Sequence, residues 1–188
     1  MDRHVREKYD SKIEEEFLRY HMRYLNLFVP MLLVLCIVSC SNEPQSQLSY
    51  VMDSAGILTE VEEADLTKQI RELEDSIGSQ IVIFTIDSLH GEKIEDFALR
   101  HANDWGIGRR DYDDGILIVV AVRDRSMRIE VGYGLELIVK DEIASGIVRE
   151  QMAPKFREGK YHGGLQSAVE TIKTLIMEHK ELIGQRPH

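Results

Sequence analysis

From Tyr50 onward the apolar positions change period several times, and each change marks an element. Val61, Leu66, Ile70, Leu73 and Ile77 recur at helical spacing. Thr59 precedes them, with Glu62 three residues on, the pattern of a capping box. Gly78 is placed to stop the helix. "SQIVIFTI" (79–86) is β-branched and bounded by polar residues, which predicts a strand. A second helix is predicted from Lys93 to Asp104, with Ile94, Phe97 and Ala98 inward and Trp105 closing it. "GILIVVAV" (115–122) is apolar throughout, as expected of a central strand covered on both faces. After the polar turn "RDRS" (123–126), "MRIEVGY" (127–133) alternates. Met127, Ile129 and Val131 point one way and Arg128 and Glu130 the other, as in a hairpin partner of the preceding strand. A helix follows from Asp141 to Met152, which Pro154 should interrupt. A last helix from Gly164 to Ile183 carries Leu165, Ala168, Val169, Ile172, Leu175 and Ile176. The order predicts a three-layer α/β/α sandwich, Rossmann-like, with a mixed sheet.

The N-terminal part reads differently. Residues 25–38, "LNLFVPMLLVLCIV", are almost wholly apolar but too short to span a bilayer comfortably. They suit the apolar region of a signal peptide. The next residues, "IVSC", resemble the bacterial lipobox, in which the cysteine after the cleavage site, here Cys40, becomes lipidated. Residues 1–21 hold six acids against five Lys or Arg, unlike the short positive segment a signal peptide starts with. The expectation is therefore a start at Met22 with residues 1–21 as a non-native extension, a signal peptide over 22–39, a polar tether over 40–49 and a folded domain over 50–183. The domain would then face out of the cytoplasm, lipid-anchored to a membrane of the cell envelope.

Charge and cysteine content narrow the chemistry. The net charge is −10 and no basic stripe is present, so nucleic acid is excluded as a partner. Cys36 and Cys40 are the only cysteines, so residues 41–188 can hold neither a disulfide framework nor a Cys-based metal site. No Gly-x-Ser-x-Gly elbow exists. The histidines form no helical pair, and His90, His101 and His162 read as surface residues, which argues against an imidazole zinc site. "VGYGLE" places Gly132 and Gly134 after a strand, but the third position of a dinucleotide fingerprint is Leu137. "WGIGRR" lacks the end of a P-loop. Both glycine pairs read better as points of close backbone approach or as turns that need a positive φ.

Carboxylates remain. "RRDYDDG" (109–115) puts Asp111, Asp113 and Asp114 ahead of the apolar strand. It is not an EF-hand loop, because the glycine comes one place early and the twelfth residue is Val122. Oxygen ligands from several loops can still hold a hard cation, and Asp53 in "MDSAG" and Glu136 after the hairpin are further candidates. Spacing alone leaves a solvated acidic turn ahead of a cation site.

Taken together, "VMDSAGILTEVEEADL", "GSQIVIFTI", "WGIGRRDYDDGILIVVA", "RIEVGYGLE" and "MAPKFREGKYHGGL" resemble the TPM domain family over residues 50–177. The resemblance implies a Rossmann-like sandwich, export and membrane tethering. Thylakoid members are acid phosphatases, some members bind calcium, and an animal member is an accessory subunit of a receptor channel. Carried over by position, the metal ligands would be Asp53, Asp113 and Asp114, with Arg128 and Glu136 binding ligand nearby. Relatives have a Lys-Asp-Asn-Gly-like turn, so Asp114 adds a charge that favours a divalent cation, calcium ahead of magnesium. Two functions follow. One is a metal-dependent phosphatase, in which the ion activates water and Arg128 clamps the developing charge. The other is a non-enzymatic accessory module for a membrane protein complex.

Overall fold

A computed structural model describes residues 48–185. The signal segment, Cys40 and most of the tether lie outside the described residues. Among those described, no helix is long and apolar enough to cross a membrane.

The elements are β1 (Val51–Asp53), α1 (Glu60–Ile77), β2 (Gln80–Ile86), α2 (Ile94–Trp105), β3 (Gly115–Ala121), β4 (Ser126–Val131), α3 (Asp141–Ile147), α4 (Ala153–Arg157) and α5 (Tyr161–Glu178). The strands form one sheet in the order β1-β2-β3-β4. β1, β2 and β3 are parallel, and β4 returns antiparallel along β3. β3 is buried over its whole length because both sheet faces are covered. On one face Ile81, Ile83, Ile116 and Ile118 pack against Leu66, Ile70 and Leu73 of α1 and Leu165, Val169 and Ile172 of α5. On the other, Val82, Leu117 and Val119 meet Ile94 and Ala98 of α2. This is the α/β/α sandwich with a mixed sheet that the pattern predicts.

The helix ends follow local chemistry. At the start of α1 the Thr59 N–H donates to Glu62 Oε2 at 2.8 Å, and the Glu62 N–H donates to Thr59 Oγ1 at 3.4 Å. At its end Gly78 adopts φ 85° and its N–H donates to the Glu74 carbonyl at 2.7 Å. A residue with a Cβ is strained there.

Three expectations need correction. Val61 is 79% exposed, because it lies five residues before Leu66, about 140° around the helix from the buried stripe. Pro154 does not end its helix. A π-turn, Val148–Met152, joins α3 to α4, and the Ala153 N–H reaches back to the Val148 carbonyl. The wider turn leaves Pro154 in the first turn of α4, where its missing N–H costs nothing. His101 is not a surface residue. Its ring stacks on Phe97 with centroids 4.0 Å apart and meets Trp105 at 4.9 Å, while its Nδ1 lies 2.7 Å from the Phe97 carbonyl oxygen. This aromatic group extends the α2-side core.

Candidate functional site

Asp114, just ahead of β3, is completely buried. Its Oδ1 accepts from the Arg109 backbone N–H at 2.8 Å. Its Oδ2 accepts from Arg109 Nε at 2.9 Å, from Arg109 Nη2 at 2.5 Å and from Ser79 Oγ at 3.0 Å. The Arg109 guanidinium also lies over the Tyr112 ring, 4.0 Å from its centroid. A buried carboxylate needs a cation and further donors to be tolerated. Here the chain itself supplies them. The residue that turns the loop is Asp113, at φ 51°, rather than Gly115. Asp111 is exposed, as expected of a solvated neighbour.

Gly132 and Gly134 explain "VGYGLE". The Gly132 N–H donates to the Gly115 carbonyl at 2.8 Å, and the Gly134 N–H to the Asp113 carbonyl at 3.0 Å. A Cβ on Gly134 would stand 1.7 Å from the Tyr112 carbonyl oxygen, and one on Gly132 would stand 2.3 Å from that of Asp113. The two loops lie backbone on backbone, which only glycine permits. They hold Tyr112 and Tyr133 outward, 45% and 65% exposed. Glu136 follows the short 3-10 turn Tyr133–Leu135 and is half-buried. Asp113 and Glu136 therefore flank the same pair of loops.

Asp53 is elsewhere. It ends β1, where Oδ2 accepts from the Leu58 N–H at 2.8 Å and Oδ1 from the Thr85 hydroxyl. The Thr85 Oγ1 in turn accepts from the Ala55 N–H at 3.2 Å. This network anchors the β1–α1 loop to β2. In register Asp53 pairs with Thr85, whereas Asp114 bonds to Gln80 at the opposite end of β2. At about 3.3 Å per residue the five-residue separation is about 16 Å. Ligands of one calcium ion lie at about 2.5 Å from it. Asp53 and Asp114 therefore do not fit a common ion, and the structure does not bring the predicted set of Asp53, Asp113 and Asp114 together. Among the described residues, no three His, Cys, Asp or Glu side chains are grouped so that they could hold a metal ion.

Arg128 also stands apart. It pairs with Val119 in register and shares the α2-facing side of β4 with Glu130. Its Nε donates to Glu130 Oε2 at 2.9 Å, with the two side chains 31% and 15% exposed. Asp53 lies on the opposite face of the sheet, three strands away. Arg128 thus stabilises its own strand edge and is not joined to Glu136.

Two features escape the sequence reading. One is Arg109 as the partner of Asp114. The other is a cleft of about 520 Å³ at the carboxyl end of β3, between the β3–β4 turn and the α4–α5 segment. Its lining includes Val120, Met127, Phe156, Tyr161, Arg125 and Arg157. The signal for it was "MAPKFREGKYHGGL", which sets basic and aromatic residues side by side.

Comparison with known proteins agrees with this architecture. The N-terminal domain of a protein from P. gingivalis is 31% identical, with a TM-score of 0.66 over 74% of this chain and 88% of that one. The N-terminal domain of the cg2496 protein of Corynebacterium glutamicum is 13% identical, with a TM-score of 0.56 over 71% and 84%. The BA42 protein of the psychrophilic bacterium Bizionia argentinensis is 22% identical, with a TM-score of 0.56 over 69% and 91%. No curated protein matches the chain. The family model of the TPM domain, TPM_phosphatase, matches residues 51–175, which span the whole sheet and all but the last turn of α5. The chain belongs to the TPM domain family.

Proposed function

We propose that this TPM domain is held at the bacterial cell envelope by a lipid on Cys40 and acts by binding, as an accessory module for a membrane protein complex. The observation that supports binding over turnover is the state of its inward carboxylates. Asp114 is enclosed by Arg109 and Ser79, and Asp53 is held by the Leu58 N–H and the Thr85 hydroxyl. A general base needs a lone pair aimed at the substrate proton. These two are aimed at the protein's own donors. The loop that Asp114 braces and the Gly132–Glu136 loop packed on it instead offer exposed tyrosines, the residue type that anchors protein interfaces.

The test uses the whole protein in cells and purified. Palmitate labelling is expected, and its loss in Cys40→Ala. Hydrolysis of p-nitrophenyl phosphate with Ca²⁺ or Mg²⁺ is expected at background, the same for wild type and for Asp113→Asn/Glu136→Gln. Metal-dependent hydrolysis that this double variant removes would establish an enzyme and overturn the binding reading.

A further inference from the structure

The cleft at the carboxyl end of β3 is built from two kinds of residue. Val120 and Met127 come from the facing ends of β3 and β4, and Phe156 comes from α4. Phe156 meets the Tyr161 ring edge-on, with centroids 5.1 Å apart and planes at 61°. Together they make an apolar floor. At its rim stand Arg125 and Arg157, both exposed. Arg125 occupies the β3–β4 turn at φ 52°, and its N–H donates to the Val122 carbonyl at 3.2 Å. The turn thus fixes where this side chain leaves the backbone. Arg157 donates through Nε to the Ala153 carbonyl at 3.1 Å, which leaves its terminal nitrogens available.

Their lack of acidic partners is the informative point. Arg100, Arg109, Arg123, Arg128 and Arg149 each pair with a carboxylate. Among the described residues Arg71, Arg110, Arg125 and Arg157 do not, and of these four only Arg125 and Arg157 line this cleft. In a chain of net charge −10, carboxylates are abundant, yet two guanidinium groups share one cleft without any. The carboxyl end of the strands is also where open α/β sheets place ligands. A volume of about 520 Å³ lies inside the range of about 300–1,000 Å³ typical of ligand sites.

We propose that this cleft binds a carboxylate attached to an apolar group, and that the occupant is the free C-terminus of a peptide ending in a large apolar residue. The guanidinium fork matches the planar carboxylate through two parallel N–H···O bonds. The hydroxyls of Ser126 and Tyr161, both in the lining, can donate to the same group. The terminal side chain would rest on Val120, Met127 and Phe156. Because both arginines are exposed, the rest of a peptide can leave past them into solvent. The proposal rests on the reading of the domain as a binding module and names the chemistry that it would bind.

Fluorescence anisotropy on the full-length protein tests it, with a labelled hexapeptide ending in Leu-Phe as the free acid or as the amide. The acid should bind about tenfold more tightly than the amide, the effect of losing one charge-assisted pair. Arg125→Gln and Arg157→Gln should each weaken the acid by a similar factor. Arg149→Gln, which removes a charge already paired with Glu150, should leave it unchanged. Equal binding of acid and amide, or binding indifferent to both cleft substitutions, overturns the proposal. So does octanoate displacing the peptide at lower concentration than the unlabelled peptide itself, which would make a free fatty carboxylate the occupant. Absence of binding by the acid overturns the cleft assignment and leaves the module reading standing. Metal-dependent hydrolysis of p-nitrophenyl phosphate that Asp113→Asn/Glu136→Gln removes overturns the module reading while the anisotropy result stands by itself.

Discussion

At the amino-terminal end of β3 the chain closes on itself, and at the carboxyl end it leaves room. The first end packs the Arg109–Asp114 and Gly132–Glu136 loops backbone on backbone, with the buried Asp114 carboxylate paired to a partly exposed Arg109. The second end holds Asp53 in a small hydrogen-bond network and, across the sheet, opens a cleft with two arginines unpaired by acids. The comparison teaches that acidic residues near strand ends do different work according to which donors surround them. Where the fold supplies a guanidinium and backbone N–H groups, a carboxylate becomes part of the frame. Where it supplies cations without acids, it leaves a place for a ligand.

The closed end should be the more fragile. Gly134→Ala should destabilise most, by about 4 kcal/mol, because the added methyl meets a carbonyl oxygen that cannot yield without separating the loops. Urea unfolding followed by circular dichroism measures it, and a loss under about 1 kcal/mol would mean that the loops part easily. Arg109→Ala should come next, at about 3 kcal/mol, since it leaves Asp114 charged and buried with only Ser79 and one backbone donor. Asp114→Ala in the same background should cost little more. A double-variant cycle in which the two losses simply add would show that the pair is not coupled.

Much of this frame is legible in the chain. An all-apolar β3 requires cover on both faces, and Thr59 with Glu62 and Gly78 fix the ends of α1 through local bonds. The misreadings share a cause, which is that they depend on local three-dimensional geometry that apolar periodicity does not encode, since Arg109 stands only five residues before Asp114. No local pattern names Arg109 as the cation for Asp114, nor widens a helix turn ahead of Pro154. The metal set is a different matter, because it is carried over from the family resemblance while the apolar pattern marks no strand at Val51–Asp53. Asp53 ends β1 and Asp114 precedes β3, and in a parallel sheet those positions stand at opposite ends.

Asp53→Ala probes the open end and should cost about 2 kcal/mol. It strips an acceptor from the Leu58 N–H and from the buried Thr85 hydroxyl. The spacing makes a sharper prediction still. Calorimetric titration of Ca²⁺ or Mg²⁺ into Asp53→Asn should match wild type, whatever its outcome there. A cation affinity that falls about tenfold in Asp53→Asn but not in Asp113→Asn would place an ion at the β1 end and reverse the contrast drawn between the two ends.

The smallest effect lies in the same loop, at the start of α1. The Thr59 backbone N–H and hydroxyl both donate to Glu62, which holds its carboxyl below the usual carboxylate range. A group whose pKa is lowered on folding contributes stability above its unfolded value, and that contribution fades as pH falls through the folded value. Glu62 is fully exposed, so solvent screens the interaction and global stability should barely register it. Local opening should register it. Amide exchange at Thr59 and Glu62, corrected for the intrinsic rate, should lose protection as pH falls below the usual carboxylate range. Thr59→Ala should reduce the α1 response by removing the hydroxyl while the backbone N–H bond to Glu62 remains, and a response that persists undiminished would assign it to another carboxylate in the first turn.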